Sequence, residues 1–259
     1  MNSLPAIFIS HGAPDLPIRE GAAIDFLKSL HQHFPKPSAI LVISAHWNSA
    51  KPNVSKAIQP RTIHDFGGFP DALYRLSYPA PGAPELADRV IDLLTQAGMS
   101  SHTDPTRGFD HGVWTPLILA YPDADIPVTQ LSIQYHADAL HHFQIGQALA
   151  PLRAEGVLIL ASGSATHNMW AFDSDYHAPP PDWVQVFDEW LAERIEEGNW
   201  DAVLNYRQIA PHASKNHPTD EHLLPLFVAL GAAGANAQGT QLHRGYTYGA
   251  FSMAAYAFK

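Results

Sequence analysis

The sequence predicts an α/β fold, a single domain over residues 1–259 with a mainly parallel central sheet flanked by helices. Two observations carry this. Short runs that are apolar at every position recur along the chain, and segments with apolar residues at helical spacing separate them. A run with no polar alternation is buried on both faces, as in a parallel strand covered by helices. With 259 residues and 46% hydrophobic content, the chain is long enough to build one sizeable core.

The elements follow in order. Ala6-Ile7-Phe8-Ile9-Ser10 reads as a buried strand ending at His11-Gly12. Ala22 to His33 places Ile24, Phe26, Leu27 and Leu30 at helical spacing. Ala39 to Ser44 is a second buried strand, ending at Ala45-His46-Trp47. Glu85 to Gln96 is amphipathic, with Leu86, Val90, Leu93 and Leu94 on one side. Pro127 to Ile133 is a third strand, Ala139 to Leu152 a helix, and Val157 to Ser162 a fourth strand ending at Gly163. Trp183 to Glu197 and Asp220 to Leu230 are late helices, Gly231 to Gly239 a loop, and Thr247 to Phe258 a final strand. Two irregular stretches, Asn48 to Pro84 and Ala171 to Asp182, interrupt the pattern. A long segment without regular structure in a compact domain is usually functional. The part holding His64, Phe66, Gly67-Gly68 and Tyr74 reads as a lid or pocket wall, or as a plain loop staple.

Composition removes several function classes. The net charge is -10, and no Lys/Arg cluster offers a footprint for nucleic acid or an anionic membrane surface. The absence of cysteine excludes disulfides, thiolate metal ligands and a cysteine nucleophile. Met1 to Pro14 lacks the basic start and long apolar run of a signal peptide. The longest apolar runs are too short to span a bilayer. The expectation is a cytoplasmic enzyme, with a homo-oligomer compatible with its class.

The 16 histidines outnumber the 15 lysines and arginines. His11 follows the first strand and His46 the second; Ser162-Gly163-Ser164 and then His167-Asn168 follow the fourth. Ligands of open α/β sheets bind outside the carboxyl ends of the strands. His11, His46 and His167 are therefore expected to face one crevice, a metal site at those ends. Converging neutral imidazoles are good ligands for a borderline divalent metal. Non-haem Fe(II) needs such a site with open positions, and zinc accepts the same ligands. No short metal motif such as HExxH is present, so the spacing alone says little. His31, His33, His136, His141 and His142 lie on predicted helices or their edges and are expected at the surface. Trp47 and Trp114, near candidate site histidines, read either as aromatic walls for a flat ring or as core.

Several blocks taken together carry a family resemblance. They are Ser10-His11-Gly12-Ala13-Pro14, Ser44-Ala45-His46-Trp47 and Ile63-His64-Asp65-Phe66-Gly67-Gly68-Phe69-Pro70, then Tyr78-Pro79-Ala80-Pro81-Gly82, Gly108-Phe109-Asp110-His111-Gly112-Val113-Trp114 and Tyr121 to Pro127. Ala161-Ser162-Gly163, His167-Asn168 and Pro218 to Leu226 complete the series. In this order, over nearly the whole chain, they resemble the 4,5-DOPA extradiol dioxygenase family. That family belongs to the class III extradiol ring-cleavage dioxygenases, related to the catalytic subunit of protocatechuate 4,5-dioxygenase. The resemblance implies cleavage of a catechol-type ring with O2 to a muconic semialdehyde, and a small-molecule catechol and O2 as partners. It implies one divalent metal per chain, Fe(II) for ring cleavage, with zinc able to occupy the purified protein. It implies His11 and His46 as metal ligands and His222 as the third, with Glu221 as its possible substitute. His167 is implied as acid/base residue and possible fourth ligand, and His111 as a catalytic residue bonding substrate or oxygen; His64, in the first irregular stretch, reads as a substrate contact or a structural hydrogen bonder. The alternative is a zinc-dependent hydrolase using metal-bound hydroxide on the same histidines.

Overall fold

The computed structural model describes residues 3–234 and 236–259. Met1 and Asn2, in the N-terminal stretch considered for a signal, and Ala235, in the expected loop, lie outside the described residues. The strands are β1 (Ala6–Ser10), β2 (Ala39–Asn48), β3 (Asn53–Ser55), β4 (His102–Asp104), β5 (Val128–Ile133), β6 (Val157–Gly163), β7 (Gly239–His243), β8 (Tyr246–Thr247), β9 (Phe251–Ser252) and β10 (Ala255–Phe258). Eight of them form one sheet in the order β4-β3-β5-β2-β6-β1-β10-β7, and β8 pairs with β9 separately. The four central strands, β5, β2, β6 and β1, are mutually parallel. Antiparallel pairs occur only toward the edges, where β10 joins β1 and β7, and where β3 joins β5.

Alternation along the central strands divides the core in two. Phe8, Leu41 and Ile43 face one apolar layer with the helices Pro84–Gln96, Ala139–Leu149, Asp182–Glu196 and Leu224–Ala233. Ile7, Ile9, Ile40 and Val42 face the other, with the helices Ala22–Ser29 and His111–Ala120. The helices Ala139–Leu149 and Leu224–Ala233 touch through their backbones. A Cβ on Gly146 would lie 2.2 Å from the Val228 carbonyl oxygen, and one on Gly231 would lie 2.0 Å from that of Phe143. Glycine at both positions is what allows the approach.

Five expectations need correction. The helix His111–Ala120 was not expected; nine of its ten residues are buried and it carries Pro116, so it has no polar face to reveal a period. β2 runs past Ser44 to Asn48, with a register shift against β5 between those residues. The helix expected over Ala139–Leu152 stops at Leu149, and Pro151 starts a separate turn of helix. The last helix starts at Leu224 with Pro225 in its first turn and takes in Gly231 to Ala233. The C-terminal stretch makes three short strands, not one. Among the described residues, no helix is long and apolar enough to cross a membrane.

Candidate metal centre

Five histidines meet at the carboxyl ends of the central strands. His11 leaves β1, its backbone N–H held 2.9 Å from the Gly163 carbonyl. His46 sits in the irregular end of β2, where its N–H donates to Ser44 Oγ at 3.2 Å. Ser44 in turn donates to the buried carboxylate of Asp110 at 2.7 Å, and Arg107 and Gln130 complete that carboxylate's partners. His222 lies in the turn before the helix Leu224–Ala233, and its carbonyl accepts the Ser164 N–H at 2.8 Å. A Cβ on Gly163 would lie 2.0 Å from that carbonyl oxygen, so glycine at the end of β6 is what lets the turn close on the sheet. His111 is the first residue of its helix, and His167 follows β6.

Nε2 of His46 lies 3.0 Å from Nε2 of His11 and 3.3 Å from Nε2 of His222. The three nitrogens fall within 4.8 Å of one another. Outer partners fix two of the tautomers. Ser162 Oγ donates to the Gly112 carbonyl, which leaves the hydroxyl oxygen to accept from Nδ1–H of His11 at 3.0 Å. Glu221 Oε1, 3.2 Å away, accepts from Nδ1–H of His222. Both Nε2 atoms therefore carry lone pairs aimed at the His46 ring. Two nitrogens at ~2.1 Å from one ion, at angles between square and tetrahedral, would stand about 3.0–3.4 Å apart. The donor set fits a single divalent metal, and outward Nδ1–H groups held by a hydroxyl and a carboxylate are the usual supports of metal-binding imidazoles.

The electrostatics agree. Burial, then the neighbouring imidazoles, push His11 and His222 well below the ordinary histidine value, and burial holds His46 at about 3. His167 is also held at about 3, mainly by burial. These rings are neutral at physiological pH, as ligands must be. Asp65 stands beside them: burial opposes its ionisation, but its contacts with His111 hold it at about 2. Its Oδ1 accepts the His111 backbone N–H at 2.9 Å and lies 3.0 Å from the ring Nδ1, an approach too bent for a second hydrogen bond. The His167 ring stacks on His222 with centroids 3.5 Å apart and on Phe251 at 5.3 Å. A cavity of about 300 Å³ opens over the cluster, with all five histidines in its wall and Phe66, Phe69, Met169, Phe172 and Phe251 around them.

The structure thus brings together His11, His46, His222, His111 and His167. Glu221 stands behind His222, on the far nitrogen, rather than in its place. Three expected substrate contacts lie outside the cavity wall. Trp47 alternates with His46 along β2 and packs on the opposite side, under the Arg107 guanidinium at 5.1 Å. Trp114 is fully buried and donates Nε1–H to the Ile63 carbonyl at 3.0 Å. His64 bonds the Leu76 carbonyl at 3.1 Å and packs against Trp114 and Tyr74. His142, expected at the surface, is fully buried; its Nδ1 donates to the Asp138 carbonyl at 2.8 Å and its Nε2 accepts from Gln134 N at 3.1 Å. The supporting roles of Ser162, Asp65 and Asp110 and the walls formed by Met169, Phe172 and Phe251 were not anticipated. Asp65, Asp110 and Ser162 each sat in a quoted motif, beside His64, beside His111 and at the end of β6; Met169 and Phe172 had no signal beyond proximity to His167, and Phe251 had none.

The family model of the catalytic LigB subunit of aromatic ring-opening dioxygenase matches residues 5–259. The chain is 47% identical to a 4,5-DOPA dioxygenase extradiol of Beta vulgaris, over 99% of this chain and 97% of that one. It is 37% identical to a 4,5-DOPA dioxygenase extradiol of Escherichia coli, over 96% and 93%. The crystal structure of an uncharacterised Escherichia coli K12 protein superposes with a TM-score of 0.82 at 33% identity, covering 98% of this chain and 99% of that one. A full-length family match on a fold that gathers five histidines around one cavity makes the chain a member of the LigB family of aromatic ring-opening dioxygenases, and an extradiol ring-cleavage dioxygenase.

Proposed function

We propose that His11, His46 and His222 hold one divalent metal, Fe(II) in the working enzyme, and that a catechol bound over it is opened with O2 to a muconic semialdehyde. The convergence of three Nε2 atoms, two of them left unprotonated by Ser162 and Glu221, carries this reading. A bound Fe(II) supplies open coordination positions for the diol and for O2, and the electron transfer between them.

The chain's own residues do the rest. A catechol must lose a proton to become a good chelate. His167, stacked on a ligand ring and lining the cavity, is the base for that proton. Burial keeps it neutral, so its proton-accepting form is the resting form. Transfer leaves an imidazolium beside a catecholate, and that attraction offsets the burial that otherwise disfavours the cation. The same ring then returns the proton to an oxygen of the product. The Asp65 carboxylate favours the proton on Nδ1 of His111, leaving Nε2 to accept a hydrogen bond from substrate. The aromatic walls exclude water and hold the ring flat. Because several relatives are named for DOPA, it heads the panel of catechols to test.

The test is O2 uptake by protein loaded anaerobically with Fe(II) and then given a panel of catechols. Uptake with a yellow product, absent from His46→Ala, supports the reading. No uptake at full iron occupancy sinks it and favours the zinc hydrolase.

A further inference from the structure

Ser162 holds Nδ1–H of His11 and Glu221 holds that of His222, but the third ring, His46, has no such partner. Its hydrogen bonds run through Nε2 and the backbone. Among the described residues none hydrogen-bonds its Nδ1, and the nearest carboxylate oxygen is Oδ2 of Asp65, at 3.8 Å. Two close backbone approaches set this pair up. A Cβ on Gly108 would lie 2.1 Å from the Arg61 carbonyl oxygen. Glycine there lets residues 61–63 run along Phe109, whose N–H donates to the Arg61 carbonyl at 2.8 Å and whose carbonyl accepts the Ile63 N–H at 2.7 Å. Asp65 is thereby carried over the first turn of the helix His111–Ala120. A Cβ on Gly112 would lie 3.1 Å from Cδ2 of His46. Glycine there lets the His46 ring rest on the same turn, with its centroid 3.8 Å from that of His111.

Resting on the metal centre proposed above, we infer that Asp65 is the positioning residue of His46: with Nε2 committed to the metal, Oδ2 accepts Nδ1–H and fixes the third ligand's tautomer and ring orientation. A ring bound through Nε2 carries its proton on Nδ1, and a carboxylate is the usual acceptor for that proton. Oδ1 is already used, accepting the His111 backbone N–H at 2.9 Å, where a helix N-terminus favours the negative charge. Oδ2 accepts no hydrogen bond from any described residue and faces His46. Closing from 3.8 Å to the about 2.8 Å of a charge-assisted bond takes a small turn of ring and carboxylate. Charge agrees with this assignment. Three neutral imidazoles leave a dication uncompensated, whereas Glu221 behind His222 and Asp65 behind His46 supply two negative charges. The same carboxylate ties a metal ligand to His111 and to the loop whose next residue, Phe66, lines the cavity.

Asp65→Asn isolates the effect. The amide oxygen can still accept the His111 N–H, but an NH2 group then faces His46 and favours the tautomer with its proton on Nε2, where the metal belongs. Zinc affinity, read by competition with a chromophoric chelator, should fall roughly 10–100-fold, while thermal unfolding of the metal-free protein changes little. The second readout is the proton–nitrogen correlation of the rings in zinc-loaded protein with isotope-labelled histidine. The His46 Nδ1–H should be downfield and slow to exchange with water in the unmodified protein, and fast in the variant. A merely structural role would not move that signal. His46→Ala is the control. Loss of zinc there, with unchanged affinity and an unchanged His46 signal in Asp65→Asn, overturns the inference alone. Zinc held normally by both variants fells the proposed metal centre as well. A second zinc per chain that Asp65→Asn removes also overturns the inference, because Asp65 would then be a direct ligand with His46 and His111. Should the variant fold poorly, the unmodified protein decides: fast exchange of the His46 Nδ1–H with zinc bound overturns the inference.

Discussion

Replacing Ser162 with alanine isolates the argument about the His11 tautomer. Ser162 is fully buried, and its hydroxyl joins two groups: it donates to the Gly112 carbonyl and accepts Nδ1–H of His11 at 3.0 Å. Alanine removes both bonds with little change of volume. The imidazole is then free to move its proton to Nε2, the nitrogen that faces His46, and to turn about its Cβ–Cγ bond. Loss of such an outer partner typically weakens metal affinity by 10–100-fold, about 1.4–2.7 kcal/mol. The stranded Gly112 carbonyl and His11 N–H should also cost the metal-free fold about 1–3 kcal/mol each. The assay is competition for zinc with a chromophoric chelator, alongside urea unfolding of the metal-free protein. Unchanged zinc affinity in a variant that folds would refute the claim that Ser162 fixes the ligand tautomer.

Other substitutions test neighbouring parts of the account. His167→Ala should keep the metal and lose roughly 100-fold or more of turnover, as expected for an acid/base group; near-normal turnover removes it from that role. Gly163→Ala should weaken both folding and metal binding, because its Cβ would lie 2.0 Å from the His222 carbonyl oxygen; thermal unfolding with and without zinc reads both effects. Asp188→Ala should cost about 2–5 kcal/mol, since the buried carboxylate accepts hydroxyls from Ser252 at 2.6 Å and Tyr246 at 2.8 Å; urea unfolding measures it. Burial holds His142 and His217 at about 4, below the unfolded value near 6.5. The unfolded chain therefore binds protons that the folded chain refuses. Their contribution is complete above pH 6.5 and is lost as pH falls toward 4, at up to about 1.4 kcal/mol per pH unit for each ring. Urea midpoints across that window should fall for the wild type and fall less steeply in His142→Gln.

The buried parallel strands were the most legible part of the fold, because β1 and β6 are apolar at nearly every position and nothing but a covered sheet accommodates them. The helix His111–Ala120 was invisible for the same reason: burial on all sides erases the period that would reveal it. His11 was readable as a residue just past a strand. His46 was placed one step out, since β2 bends on through it to Asn48. His222 had no such local signal and came from the family resemblance alone; the backbone contact over Gly163 that brings it to the strands joins residues 59 positions apart, by 222 − 163. Trp47 and Trp114 were open between pocket wall and core, because strand alternation and packing, not sequence proximity, decide where they point. The cavity's apolar wall draws on loops separated by more than a hundred residues, such as those of Phe66 and Phe172, and no local pattern announces it.

The central claim is that O2, not water, opens the substrate ring at the histidine cluster. The most direct measurement is mass spectrometry of the product formed from 4-ethylcatechol and L-DOPA under heavy-oxygen O2, with iron-loaded protein in ordinary water. The account predicts a ring-opened product that carries heavy oxygen in its new carboxylate and does not form with His46→Ala. A product whose added oxygen comes only from water would contradict it and point to hydrolysis at the same three histidines.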